Sequence, residues 1–346
     1  MKRWIGVILG AGALLAGCAG TGGGRPEWVD GPPSAYPDAT HVTGTASGST
    51  ADAARANARA ALSRVFLSRV ESEVRDETSS EIRDSREVSA VERLSIETRV
   101  STEGSFEGVK IAETWQSRDG TWHALAVLDK ASMRRTLQAR IDEATRRMRG
   151  HLDRSAAAPT ALGRSKFLIE SLRAGRARDA LVARGRVVGR RPDDHRPTTA
   201  AVESDLESSL AGTRFEVRAV EVDAATDAEI GTLPKLRERL EERLTSMGFQ
   251  TVAPGRSDAN VWLTCRMSLE ELDRGFKGHF FRWQGAWEVT GEPPHGSVVL
   301  ASQDSGGESH TTKSVARSRA LAKGAQKLAT DLEAQISRYL REPAEH

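Results

Sequence analysis

The chain has 346 residues, of which 28% are charged, and its formal net charge at pH 7 is +2. A chain of this length suits two domains, and so balanced a charge indicates neither a nucleic-acid partner nor a strongly acidic one.

The amino terminus has the layout of a secretory signal peptide. Lys2 and Arg3 precede an apolar stretch from Trp4 to Leu15 that is too short to span a bilayer. The cleavage region Leu15-Ala16-Gly17-Cys18 resembles the bacterial lipobox, in which the cysteine is diacylated and the peptide is cut before it. We therefore expect lipid attachment, of the palmitate type, at Cys18. The alternative is an ordinary signal peptide with an incidental cysteine.

The residues after Cys18 predict where the chain is anchored. Ala19 stands where lipoproteins retained in the inner membrane usually carry aspartate, so we expect the outer membrane, with the chain facing the periplasm. Inner-membrane retention and surface display are the alternatives. Several acyl chains on one residue make a lasting anchor, and the Gly/Thr/Pro-rich stretch up to residue 35 is typical of a flexible tether.

The next segment predicts a strand leading into a long helix. The strand falls between Asp38 and Gly48, and the helix begins at Thr50, which with Asp52 can cap the first amides. Apolar residues at helical spacing define the expected buried side: Ala54, Ala58, Ala61, Val65 and Val70.

A β-hairpin is the clearest element that follows. Two β-prone runs, 109–116 and 121–128, flank Asp119-Gly120, a favoured two-residue turn. Pairing about that turn sets Trp115 across from Ala124 and places Trp115 and Trp122 on one face. We expect the helix predicted over residues 130–152 to cover that face.

Short motifs in this region resemble those of a known family. They are Pro26-Glu27-Trp28-Val29, Tyr36-Pro37, Val42-Thr43-Gly44-Thr45-Ala46 with the Ala-rich helix after it, and the run from Glu113-Thr114-Trp115 through Asp119-Gly120-Thr121-Trp122-His123-Ala124-Leu125-Ala126. Over about residues 26–152 the chain resembles the Lpp-twenty type of outer-membrane lipoproteins, whose domain also occurs at the amino end of a flagellar basal-body ring protein. The resemblance implies an envelope protein without an assigned catalytic residue, often a structural or assembly component.

The remaining chain predicts a helical connector and a second domain. Residues 155–191 are typical of a helical hairpin broken at Ala174-Gly175. Beyond residue 213, a strand at Phe215 and an amphipathic helix ending at Gly248 precede three strands and a closing helix, in the order β-α-β-β-β-α. Cys265 lies in one of those strands, so we expect a buried structural thiol and no intramolecular disulfide.

These elements predict an α+β fold with two small mixed or antiparallel sheets, each covered by helices and joined by a helical connector. The predicted divisions are a lipoprotein signal peptide (1–17), a flexible tether (18–35), an Lpp-twenty-like α+β domain (36–152), a helical connector and linker (153–212), and a second α+β domain (213–342).

Sequence patterns of catalysis and metal binding are absent. Eight histidines are spread along the chain with no pair at zinc-binding spacing, and no nucleophile elbow, phosphate loop or dinucleotide fingerprint occurs. The sequence therefore predicts no catalytic residue, no metal site and no cofactor.

The best candidate for partner contact is an aromatic and basic segment, Asp273–Trp287. Phe276, Lys277, His279 and Phe280 form its Gly-flanked first part, which we expect to be a loop, and aromatic and basic residues are enriched at binding hot spots. Ordinary packing is the competing interpretation. If Phe281 begins a strand, Trp283 and Trp287 share its face and belong to the core.

The preferred hypothesis is a membrane-anchored periplasmic lipoprotein that acts as a non-catalytic scaffold, assembly or regulatory factor in the bacterial envelope. Its partners would be the membrane, through acyl chains on Cys18, and an envelope protein, with no nucleic acid. The alternatives are a cell-wall hydrolase and a carrier of an apolar ligand. A pocket lined by His, Glu or Asp would favour the hydrolase, and a closed apolar cavity would favour the carrier.

Overall fold

The computed structural model describes residues 24–81, 108–189, 196–273, 278–291 and 298–343, excepting the side chains of 73–81. It has an α+β fold with 51% helix and 28% strand. Its contacts form two compact units, the first from the described parts of 1–65 and 108–129, and the second from those of 66–107 and 130–346. The helix that begins at Lys130 thus groups with the second unit, whereas the predicted boundaries place residues 130–152 in the first domain. Cys18 lies outside the described residues.

The first unit is a three-stranded antiparallel sheet with helical segments. Helix α1 spans Glu27–Asp30, and strands β1, β2 and β3 span His41–Gly48, Lys110–Gln116 and Trp122–Asp129. Helix α2 spans Ala51–Glu81, and its residues up to Val65 belong to this unit. The strand order is β1-β3-β2. The central strand β3 is buried continuously from Ala124 to Leu128, because both of its faces are covered.

The register of the β2–β3 hairpin differs from the predicted one by a single residue. Trp115 pairs with His123 rather than with Ala124, because the loop is longer than a two-residue turn. The Ser117 amide donates to the Thr121 carbonyl, and Gly120 takes a left-handed φ of 88° after a Ser117–Gly120 turn. A one-residue shift reverses the faces, so Trp115 and Trp122 lie on opposite sides of the sheet. The prediction that one helix covers both is therefore wrong.

Helix α2 packs on β1 through a close approach of backbones. The Thr50 hydroxyl caps the helix by accepting from the Ala53 amide at 3.1 Å, as predicted. The buried side, however, follows Ala54, Ala58 and Leu62, while Val65 is 39% exposed. The helix is rotated toward Leu62 because Gly44 has no side chain: a Cβ there would lie 2.3 Å from the Leu62 backbone nitrogen.

Three helices open the second unit: α3 (Lys130–Ala157), α4 (Ala161–Val187) and α5 (Thr199–Ala211). Helix α4 packs along α3, where the buried Ser171 hydroxyl donates to the Met148 carbonyl at 3.0 Å. The predicted break at Ala174-Gly175 is wrong, since α4 is continuous there. Gly175 instead allows close packing, because a Cβ would lie 2.8 Å from the Thr199 hydroxyl and 3.1 Å from Met148.

A six-stranded mixed sheet forms the rest of the second unit. Strands β4 to β9 span Arg214–Val222, Glu229–Thr232, Gln250–Val252, Val261–Leu272, His279–Thr290 and Val298–His310, and helices α6 and α7 span Pro234–Ser246 and Lys313–Arg341. The main order is β5-β4-β7-β8-β9, with β6 also paired to β4. The short strands β5 and β6 are additions to the predicted β-α-β-β-β-α order, because they are too brief to show an alternating pattern.

Within the described part of the chain, helices cover one face of this sheet and leave the other open. On the covered face Trp283 and Trp287, each 2% exposed, pack with residues of α6 and α7 in one hydrophobic core. The sequence predicts this, because alternate residues of a strand point to the same face. Cys265, opposite Trp287, is fully buried, and burial raises the pKa of its thiol to about 12. On the open face polar side chains such as Arg266, Gln284 and Glu288 alternate with these core residues.

The described helices do not include one that is both long enough and apolar enough to cross a bilayer.

Candidate interaction site

The structure describes two of the four residues proposed for partner contact. Phe276 and Lys277 lie outside the described residues. His279 and Phe280 are not in a loop but are the first two residues of β8, where they pair with β9 and, for Phe280, also with Leu272 of β7. Because neighbouring residues of a strand point to opposite faces, His279 and Phe280 do not share a surface.

His279 belongs to an ionic cluster at the end of the sheet. Its Nδ1 lies 2.7 Å from Glu271 Oε1, and the Lys313 ammonium lies 2.6 Å from Glu271 Oε2. The hydrogen bond from Lys313, followed by that from His279, lowers the pKa of the Glu271 carboxyl. The cluster joins β7, β8 and the first turn of α7, so His279 has a structural partner on this face.

Phe280 lies on the open face, where its ring covers a glycine of the neighbouring strand. A Cβ on Gly307 of β9 would lie 2.4 Å from Phe280 Cζ, so the ring occupies the space of the missing side chain. One residue away, Gly306 receives the Trp283 indole in the same manner on the covered face. An aromatic ring over a strand glycine replaces the packing that the glycine lacks. Phe280 is consequently half-buried rather than free.

A shallow polar groove of about 1090 Å³ lies on the open face, across β7, β8 and β9. Its lining includes Gln284 and Glu288 of β8, Gln303 of β9, and an ion pair of 3.1 Å between Arg266 and Asp227. Fixed polar groups on a wide, open floor are suited to contact with another polar surface rather than to enclosing a small apolar ligand. The alternation of Trp283 and Trp287 with Gln284 and Glu288 is the sequence signal for this face.

The described carboxyl groups with shifted pKa values all shift in the same direction. The carboxyl groups with shifted pKa are Asp119, Asp223, Asp258 and Glu271, and all four pKa values are lowered, mainly by hydrogen bonds. A general acid needs the opposite shift. The buried Cys265 thiol is protonated at neutral pH, and no group of three or more His, Cys, Asp or Glu among the described residues can hold a metal ion.

In the first unit, motifs that are distant in sequence meet on one face of the sheet. Trp28 of α1 is 4% exposed and packs with Leu125 and Val127 of β3, next to Trp115. Its indole nitrogen donates to Glu113 Oε2 at 2.6 Å, across 85 residues of sequence. The Pro26–Val29 motif, the Glu113–Trp115 motif and the central strand thus form one packed cluster.

Comparisons with known proteins match this part of the chain. Residues 26–129 match the family model of the LPP20 lipoproteins. No curated protein sequence matches the chain.

Three of the matching solved structures are distant likenesses. The secreted protein HP1454 from Helicobacter pylori has 10% identity and a TM-score of 0.41, covering 86% of this chain and 97% of that one. A minor lipoprotein from Acinetobacter baumannii has 18% identity and a TM-score of 0.27, covering 40% and 99%. A PelC dodecamer from Paraburkholderia phytofirmans has 14% identity and a TM-score of 0.22, covering 39% and 91%. These values are too low to transfer a function.

The family match agrees with the first unit. It ends at Asp129, the last residue of β3, whereas the resemblance drawn from the motifs extends to residue 152. It includes the Trp28–Glu113 contact and the hairpin, and it begins eight residues after Cys18. Residues 26–129 of this chain are therefore similar to the LPP20 lipoproteins.

Proposed function

We propose that this chain is anchored in the outer membrane by acyl chains on Cys18 and acts in the periplasm as a non-catalytic scaffold, assembly or regulatory factor. The observation that carries the proposal is the LPP20 segment itself, which starts directly after a lipobox-like sequence and a short Gly/Thr-rich stretch. The resemblance to these lipoproteins implies no assigned catalytic residue, and this supports the non-catalytic role.

The first test concerns the anchor. Cys18→Ser should abolish fatty-acid labelling and leave uncleaved precursor, because the hydroxyl does not replace the thiol that accepts the diacylglycerol. Labelling with an alkynyl fatty acid, followed by gel analysis of precursor and mature forms, measures both effects. Cys265→Ser is the matched control and should keep full labelling, since Cys265 is buried in the second unit. Label retained in Cys18→Ser would contradict the proposed anchor.

For the partner, we propose contact at the β7–β8 end of the sheet through Phe276, Lys277, His279 and Phe280. One feature of the described residues supports it: Phe280 presents its half-buried ring on the open face of the sheet, at the start of β8. Aromatic and basic residues, the types found at all four positions, are enriched at interface hot spots.

The second test removes the aromatic anchors. Phe276→Ser with Phe280→Ser should reduce photo-cross-linking to the partner from a benzoylphenylalanine placed at residue 277, because a few anchors carry most interface energy. The melting temperature should change little, since Phe280 is only half-buried. Ile230→Ser is the control, because Ile230 is an exposed residue of β5, at the edge of the sheet away from β8. This variant should leave cross-linking intact. Unfolding of the double variant would instead show that the phenylalanines are core.

A further inference from the structure

The two edges of the six-stranded sheet are treated differently. The outer edge of β4 is lined by β5 and β6, which have only four and three residues. Strand β9 forms the other edge, has thirteen residues and is paired with β8 along its length, from His310 opposite His279 to Val298 opposite Thr290. Among the described residues, nothing pairs with the outer side of β9. A long free edge presents a row of backbone donors and acceptors to another strand.

Strand β9 lacks the residues that usually prevent edge pairing. Between Val298 and His310 it contains no proline, lysine or arginine. Its two acidic residues, Asp304 and Glu308, point to the covered face, where Lys327 and Lys323 of α7 form ion pairs with them. Charged side chains that point toward the core normally disfavour pairing with a further strand, but here the lysines of α7 already neutralise these two carboxylates. The remaining repulsion along the edge is therefore small.

The open-face side of β9 is also suited to close approach. Its side chains are small or uncharged, and they are Ala301, Gln303, Ser305, Gly307 and Ser309. A neighbouring strand lies less than 5 Å away in a sheet, so bulky or charged groups at these positions would obstruct it. Nothing on this side of the strand obstructs a partner of the same composition.

We propose that β9 pairs antiparallel with β9 of a second copy, so that the two sheets join across a two-fold axis near Ser305. This register sets Asp304 opposite Gly306 and Glu308 opposite Ser302, so like charges do not face each other. A shift of the axis to residue 304 would oppose Asp304 with itself, and a shift to 306 would oppose Asp304 with Glu308. Cross-strand like charges are destabilising, and the self-complementary register therefore favours a second copy as the occupant.

The inference uses the second unit alone and is independent of the proposed function. Its test is disulfide formation in the full lipoprotein, in its own membrane. Ser305→Cys should form a covalent dimer on mild oxidation, because the two Cβ atoms of residues facing each other across the axis lie within bonding reach. Cys265 does not interfere, since it is buried with a pKa raised to about 12. The unsubstituted lipoprotein, which keeps Cys18 as well, shows any dimer that forms through a native thiol.

Gln284→Cys is the matched control. Gln284 faces the same side and lies opposite Ser305, but one strand further in, so two copies of it are too distant for a disulfide. Adding Ala301→Lys and Ser309→Lys to Ser305→Cys sets lysines opposite each other across the axis, since residue 301 of one copy faces residue 309 of the other. The dimer yield should fall by at least about tenfold, as a like-charge clash of about 1.4 kcal/mol or more predicts. Gln284→Lys in the same background should not lower it.

Three outcomes would overturn the proposal. The first is that the Ser305→Cys variant remains monomeric on oxidation although its new thiol reacts freely with maleimide. The second is equal dimer formation by the Gln284→Cys variant. The third is cross-linking of the Ser305→Cys variant to a species of another mass, which would identify a different protein at the edge. Melting temperatures of both cysteine variants, and light scattering of the unsubstituted lipoprotein in detergent, show whether the substitutions themselves changed folding or assembly.

Discussion

Gly44→Ala is expected to destabilise the first unit by about 3 kcal/mol or more, at the upper end of overpacking effects. The added Cβ would lie 2.3 Å from the Leu62 backbone nitrogen and 2.6 Å from its Cα. These atoms belong to the α2 backbone and cannot rotate away, so the helix itself must move off the sheet. Urea unfolding, followed by circular dichroism and tryptophan fluorescence, measures the change.

The matched control for this prediction is Gly31→Ala in the same unit. No atom lies within 4 Å of the position that a Cβ would take at Gly31, whose φ of −165° is extended backbone. Its stability should therefore change by less than about 1 kcal/mol, as is usual for surface substitutions. Equal stability of the two variants would mean that α2 does not approach β1 as closely as the structure shows.

Trp283→Ala should destabilise the second unit by about 3–5 kcal/mol, the usual cost of truncating a buried aromatic residue. Trp283 is 2% exposed, and its indole fits between Gly306 of β9 and Gly324 of α7. Removal leaves a cavity whose walls are a strand and a helix, which cannot collapse easily. Thermal unfolding with a calorimetric readout measures the loss.

Two variants make this prediction specific. Trp283→Phe should cost much less than Trp283→Ala, because the buried indole N–H has no hydrogen-bond partner among the described residues and its removal leaves no unmet donor. Trp262→Ala changes the same residue type on β7 but on the partly exposed open face, and should have the smaller effect of the two alanine variants. A Trp262 effect as large as that of Trp283 would contradict the assignment of the covered face.

Local sequence patterns predicted most elements because the forces that start and stop them are local. Thr50 caps α2, Gly248 ends α6 with a left-handed φ of 89°, and alternation places Trp283 and Trp287 on one face. The same patterns failed to predict the role of Gly175. This glycine does not break the helix; it lets α4 pack closely against α5 and α3, because it has no side chain. A glycine needed for close packing and a glycine that ends a helix are identical in sequence.

The candidate contact residues show the same limit. The aromatic and basic composition of Phe276–Phe280 is visible in the sequence, but the start of β8 at His279 is not. That start sends His279 toward Glu271 and Lys313, and Phe280 toward Gly307, on opposite faces. The free edge of β9 is likewise invisible, because strand order depends on long-range pairing that single-strand patterns do not encode.

By itself, the sequence determined the lipobox-like motif, the α+β composition of the chain and the resemblance of its amino-terminal part to the LPP20 family, since each depends on residue type and short spacing. Only the tertiary structure decided the hairpin register, because one extra loop residue moves Trp115 and Trp122 to opposite faces. It alone decided that Trp28 donates to Glu113 and that Leu62 lies against Gly44. Those contacts join residues far apart in the chain, and no local pattern specifies which distant partner a buried group will meet.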